Sequence, residues 1–155
     1  MSECARLADQ IRRAFQGGAW HGDSLLELLA GVKATTAAAR PIKNAHSIWE
    51  LVLHIAAWDG VVIRRARGRA AKLTARQNFP PVEDTSEAAW QNALTHLKAT
   101  HAELVSVVES FPDSRLFGPV PGKKQKYYNF FYMFSGIVQH ELYHAGQIAL
   151  LKKFR

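Results

Sequence analysis

The residues of this chain best suited to chemistry are three histidines. His140 and His144 stand four apart near the C-terminus, so on a helix their side chains leave one face about 6 Å apart along the axis, close enough to grip one metal ion. They lie in His140-Glu141-Leu142-Tyr143-His144, which also fits the His-Glu-x-x-His pattern of zinc metalloproteases, where the glutamate is the general base. The protease reading fails on its third ligand. Only eleven residues follow His144, none of them Asp, Glu or His, and Gln147 and Leu150 stand where the extended protease motif needs Gly and His.

A third ligand must therefore come from upstream, and His54 is the best candidate. It sits among Leu51, Ile55 and Trp58, in an apolar helical pattern where a buried imidazole without a partner costs ~1 to 3 kcal/mol. Three imidazoles from two facing helices leave coordination positions open, which is the arrangement of a catalytic rather than a structural ion. The plainer alternative is a separate hydrogen bond for each histidine. Three features favour a shared ion: the four-residue spacing, the apolar helix around the pair, and a further mid-helix histidine in another segment.

Other residues are candidates for supporting roles. Glu141 is offset by about 100° from His140 around the helix; it is a candidate catalytic base if the cleft wraps that side, and a solvent-facing acid by ordinary surface preference. Gln147, one turn beyond His144, can hydrogen-bond a ligand or the substrate. Glu50, one turn before His54, can orient its imidazole as an outer carboxylate, although a capping role already explains it. Trp58 and Tyr143, with Trp20 and Trp49, can wall a cleft or fill core. His21 and His46 precede helix starts, and His96 and His101 read as exposed and half-buried, with no partner spacing.

The elements that position these groups are all helical. Cys4, Leu7, Ala8, Ile11 and Phe15 make one face of a helix from Glu3 to about Gln16, stopped by Gly17-Gly18. Ser24 and Glu27 match a capping box for a short helix to about Gly31, and the Thr and Ala stretch before Arg40-Pro41 has room for one more turn. Ser47 and Glu50 form a second box ahead of a long helix that carries His54 and ends near Gly68. A polar connection with Pro80-Pro81 follows. Asp84 or Ser86 then opens a helix with the stripe Trp90, Leu94, Leu97, His101, Leu104, Val105 and Val108, ended by Phe111-Pro112. Residues 113–127 read as an irregular loop with Gly118-Pro119 and Pro121-Gly122, and the apolar stretch from Asn129 to Lys153 as the most buried helix.

At 155 residues and 48% hydrophobic, the chain suits one domain, residues 1–155, burying roughly two thirds of its unfolded surface. No stretch approaches the ~18 to 20 apolar residues of a membrane span. No signal-peptide pattern is present, and the single cysteine, Cys4, can form no internal disulfide; both fit a cytoplasmic setting. The formal net charge of +7, from 20 Lys and Arg against 13 Asp and Glu, raises a second function class: a non-catalytic basic helical protein for nucleic acid or another anionic partner. Its placement argues against that class. Arg64, Arg65, Arg67 and Arg69 end one helix and Lys152, Lys153 and Arg155 another, where cations complement the macrodipole, and nucleic-acid recognition motifs are absent.

Three stretches carry a family resemblance: Trp20-His21-Gly22-Asp23-Ser24-Leu25-Leu26-Glu27, the run from His46 to Trp58, and Gly136-Ile137-Val138-Gln139-His140-Glu141-Leu142-Tyr143-His144-Ala145-Gly146-Gln147-Ile148. Together they resemble the DinB/YfiT-like superfamily over nearly the whole chain. The resemblance implies an all-α, DinB-like four-helix bundle with a short additional helix, and a homodimer. It also implies a metal site of one histidine on the second long helix and a His-x-x-x-His pair on the last, which falls on His54, His140 and His144. The superfamily includes thiol S-transferases that use bacillithiol or mycothiol, a maleylpyruvate isomerase, and proteins described only as metal-dependent hydrolases. A small-molecule substrate, a divalent ion and a low-molecular-weight thiol cofactor are what it leads one to expect. Zinc or nickel is the first choice of ion, and iron or manganese also fits; fold alone does not select the reaction.

Overall fold

The computed structural model describes residues 1–154, so Arg155 lies outside the described residues. Among the described residues seven α-helices follow one another: α1 (Glu3–Gln16), α2 (Leu25–Leu29), α3 (Ala34–Ala38), α4 (Ile48–Ala66), α5 (Ala75–Asn78), α6 (Glu87–Glu109) and α7 (Phe130–Leu151). A single 3-10 turn, Asp113–Arg115, follows α6. The expected helices are all present. The polar connection that contains Pro80-Pro81 holds one element of its own, the single turn α5, whose Thr74 and Gln77 form a capping box.

Side chains at the helix starts satisfy backbone N–H groups that have no partner inside a helix. Ser47 Oγ accepts from the Glu50 N–H at 3.2 Å while the Ser47 N–H donates to Glu50 Oε2 at 2.8 Å. Ser24 and Glu27 repeat the device for α2, Ser86 caps α6, and Asn129 Oδ1 accepts from the Tyr132 N–H to start α7. Each such cap contributes ~1 kcal/mol. The Asp113 carboxylate accepts from the Glu3 and Cys4 N–H groups at 2.8 and 3.0 Å, tying the 3-10 turn to the first turn of α1. At the far end of α4, Gly68 takes φ +86°, a left-handed stop that costs glycine no side-chain clash.

The four long helices form the bundle. α4 packs on α6 and α7, and α1 packs on the same two, so α1 stands diagonal to α4 and α6 diagonal to α7. The apolar core divides in two. One cluster gathers Phe15, Trp49, Ile55, Trp90, Leu97 and Ile148; the other gathers Ile11, Val62, Leu104, Phe130, Phe134 and Ile137. Between them on three helices lies one ionisable residue: Asp59 between Ile55 and Val62, His101 between Leu97 and Leu104, Glu141 between Ile137 and Ala145. All three are fully buried. His101 is therefore not the half-buried residue its stripe position suggests, and Glu141 is not a solvent-facing acid.

Among the described residues no helix is long and apolar enough to cross a membrane. Of the arginines that end α4, Arg64, Arg67 and Arg69 are exposed, and Arg67 pairs with Glu103 at 2.6 Å. Arg65 departs from the expected surface role, with only 3% of its surface exposed.

Cys4 is fully enclosed, and burial, helped by the hydrogen bond and charge of Asp113, pushes its thiol up to about 12. Since the thiolate is the reactive form, a disulfide reagent at pH 8 meets about one ionised thiol in ten thousand. The native protein should leave Cys4 unlabelled under conditions in which denatured protein titrates one thiol per chain; rapid labelling of the native fold would contradict this packing.

Candidate metal centre

The site grows from α4 and α7, which pack side by side. His54 projects from the middle of α4 and His140 and His144 from successive turns of α7, so two rigid helices fix three rings. His54 Nε2 lies 2.9 Å from His140 Nε2, and His144 Nε2 lies 3.2 Å from the same atom. The three rings do form a group able to hold one ion, and two of the three residues are buried. Ring centroids stand 4.5 to 4.9 Å apart, with the His144 ring nearly perpendicular to the other two.

The tautomers decide what this cluster needs. His54 Nδ1 lies 2.7 Å from the Asn78 carbonyl oxygen, which accepts only, so His54 carries its proton on Nδ1. His144 Nδ1 lies 2.7 Å from Gln147 Oε1 and donates to it. Both rings therefore turn an Nε2 lone pair inward. A proton on His140 Nε2 can be shared with these two lone pairs, but only a cation accepts from all three rings at once. Extra protons are disfavoured: burial lowers the pKa of His54 and His144, and holds His140 down at about 3, reinforced there by its two histidine neighbours. The donor set thus fits a divalent ion that prefers imidazole. His140 Nδ1 has no protein partner.

Outer residues lock two of the rings. Gln147 holds His144, a role open to it on spacing alone. Asn78 was hidden in the connection; its carbonyl holds His54 and its side-chain Oδ1 accepts from Trp58 Nε1 at 2.9 Å. The one signal for it is the Thr74-x-x-Gln77 box, which makes the turn that presents it. Phe79, next along, stacks on His54 at 4.1 Å and on His46 at 3.7 Å.

The remaining candidates separate. Trp58 stands 5.9 Å from the His140 ring and walls the site, and Tyr143, 68% exposed, places its ring 5.1 Å from His144 at the mouth. Trp49 belongs to the core against Trp90, while Trp20, His21 and His96 are exposed away from the three rings. Glu50 does not orient His54: its carboxylate is engaged by the Ser47 N–H and by Arg40. Glu141 does not face the imidazoles either. Its Oε1 lies 2.9 Å from His101 Nδ1 on the opposite side, against Asp59, because a residue next to His140 is rotated by about 100° and so points to the bundle axis rather than to the α4 groove.

A cavity of about 250 Å³ opens beside the centre, and His140, Trp58, Val62, Tyr128 and Arg65 are among the residues that line it. Arg65 donates to the Ala71 carbonyl through Nε (3.2 Å) and Nη2 (2.8 Å), and to Tyr128 Oη through Nη1 (3.1 Å). Among the described residues its partners are these two oxygens and no carboxylate. Two of its five N–H groups stay uncommitted.

The sequence pattern of the DinB superfamily matches residues 19–148, most of the chain and all three histidines. The chain belongs to the DinB superfamily. No curated protein and no solved structure matches it.

Replacing Gln147 by leucine should leave the bundle folded and weaken divalent-ion affinity by about 10- to 100-fold, the usual cost of losing an outer partner of a ligand histidine. His54→Ala should weaken it further. Competition against a chromophoric chelator reads both, and unchanged affinity in His54→Ala would rule out a shared ion.

Proposed function

We propose that this DinB-superfamily protein is a metal-dependent enzyme acting on a small molecule, by hydrolysis or by transfer to a thiol. The observation that supports this most is the inward turn of the Nε2 lone pairs, with Asn78 and Gln147 holding the Nδ1 protons of His54 and His144 elsewhere. A divalent ion on three imidazoles keeps open positions where it lowers the pKa of a water or thiol, supplying a nucleophile near neutral pH. His54, His140 and His144 would hold it; zinc or nickel suits the all-nitrogen set best, with iron or manganese also admissible.

The chain's own residues define what enters. Trp58 and Val62 give the adjoining cavity an apolar wall, and Arg65, which also lines it, keeps two N–H groups uncommitted. A substrate with an apolar body and an anionic end fits: the anion supplies the counter-charge that Arg65 lacks, and the body keeps water away from the reacting end beside His140. Fixing both ends removes much of the orientational freedom that opposes reaction. Among the described residues neither Glu50 nor Glu141 turns its carboxylate to the three rings, so proton transfer there falls to substrate, solvent or the ligand rings.

The test is to load stripped protein with zinc, nickel, manganese or iron and assay ester and amide hydrolysis alongside thiol transfer with a low-molecular-weight thiol. Turnover should require the ion and vanish in His140→Ala; turnover that survives both chelation and this substitution would overturn the proposal. Arg65→Met should raise KM for an anionic substrate by about 10- to 150-fold, the worth of a charge-assisted hydrogen bond, and change kcat much less. Equal KM for anionic and neutral analogues in wild type would remove Arg65 from substrate binding.

A further inference from the structure

We propose that Asp59, His101 and Glu141 form a second divalent-cation site, on the bundle axis and built from a donor set distinct from the three imidazoles. Each residue comes from a different long helix, α4, α6 and α7, and all are 0% exposed. One donor atom from each lies within 4.8 Å of the others. His101 Nδ1 is 2.9 Å from Glu141 Oε1 and 3.6 Å from Asp59 Oδ2. These are separations that ligands of one ion adopt.

The polar atoms of this layer are otherwise unsatisfied. Both carboxylate oxygens of Asp59, both of Glu141 and both ring nitrogens of His101 lack a hydrogen-bond partner of acceptable geometry. A short contact that is not aligned as a hydrogen bond is what results when a nitrogen and an oxygen point toward a common third atom. Buried polar groups are nearly always paired, and this many orphans in one place calls for a missing partner.

A divalent cation cancels the −2 of two carboxylates and a neutral imidazole, and so competes with the protons that the layer otherwise holds, since burial pushes the carboxyls of Asp59 and Glu141 up and His101, against its own burial, is pushed up by its two acidic neighbours. The layer is walled by both apolar clusters, and Phe15 of α1 stacks on His101 at 3.7 Å, so the fourth helix closes it. With water excluded, two bidentate carboxylates and one nitrogen supply up to five donors. A set of four oxygens and one nitrogen suits manganese(II) or iron(II) better than does the all-nitrogen centre nearby, with zinc also accommodated. Such an ion would brace α4, α6 and α7 directly beneath the ligand helices of the first centre.

The test uses manganese(II) alone as probe. Full-length protein is unfolded in chelator, refolded with excess manganese(II), freed of loose ion and crystallised, and anomalous scattering locates the metal. The expected result is a peak within coordination distance of Asp59, His101 and Glu141, with one tightly held ion per chain remaining in a His140→Ala/His144→Ala double variant. Adding Asp59→Asn should abolish that retained ion. Absence of a peak between these three residues in wild type overturns the proposal, whether or not the Asp59 variant folds. A peak there with none at the imidazoles would uphold it while refuting the three-histidine centre, so the two readings fail separately.

Discussion

Three imidazole nitrogens turned toward one another constrain everything around them. His54 and His144 present lone pairs there, so the group needs a cation or a shared proton between its rings, and burial makes an extra proton the weaker choice by lowering all three ring pKa values. Holding the rings there costs order that the rest of the fold must supply. Two long helices supply position, and the Asn78 carbonyl and Gln147 side chain supply orientation. Rigidity of this kind is what keeps coordination positions open, since a looser set of ligands would close around the ion.

The bundle explains why such a cluster is tolerated in a chain this small. Two apolar clusters, each with contributions from all four long helices, sit at either end of a polar layer. Trp90 shows how a polar atom inside the apolar clusters is satisfied: it is fully buried, yet its Nε1–H donates to the Val32 carbonyl at 2.7 Å and anchors the α2–α3 connection. Against that standard the unpaired atoms of Asp59, His101 and Glu141 stand out. Buried Arg65 is the second departure, and it too borders a cavity that reaches His140. Departures from local consistency cluster where a protein works.

Much of this was legible in the sequence, for identifiable reasons. Helix limits followed from side-chain caps, because Ser24, Ser47 and Ser86 each stand just ahead of an apolar period. The three histidines were found because spacing along one helix and an imidazole inside an apolar stripe are both local patterns. Asn78 escaped because its contribution is a backbone carbonyl on a single helical turn, which no residue-type pattern reports. Asp59, His101 and Glu141 escaped because their partnership spans α4, α6 and α7. Each nonetheless occupies a core position of its helix, three or four residues from apolar neighbours on both sides, and that shared anomaly was the available signal. Residue type and helix end place Arg65 at the surface; only the fold shows that its guanidinium turns inward to Ala71 and Tyr128.

The most direct measurement is X-ray absorption at the zinc edge of protein loaded with one equivalent of zinc. Convergence of His54, His140 and His144 predicts a first shell with three imidazole nitrogens at about 2.0 to 2.1 Å, falling to two in His54→Ala. A shell of oxygens alone, or a spectrum that His54→Ala leaves unchanged, would contradict it.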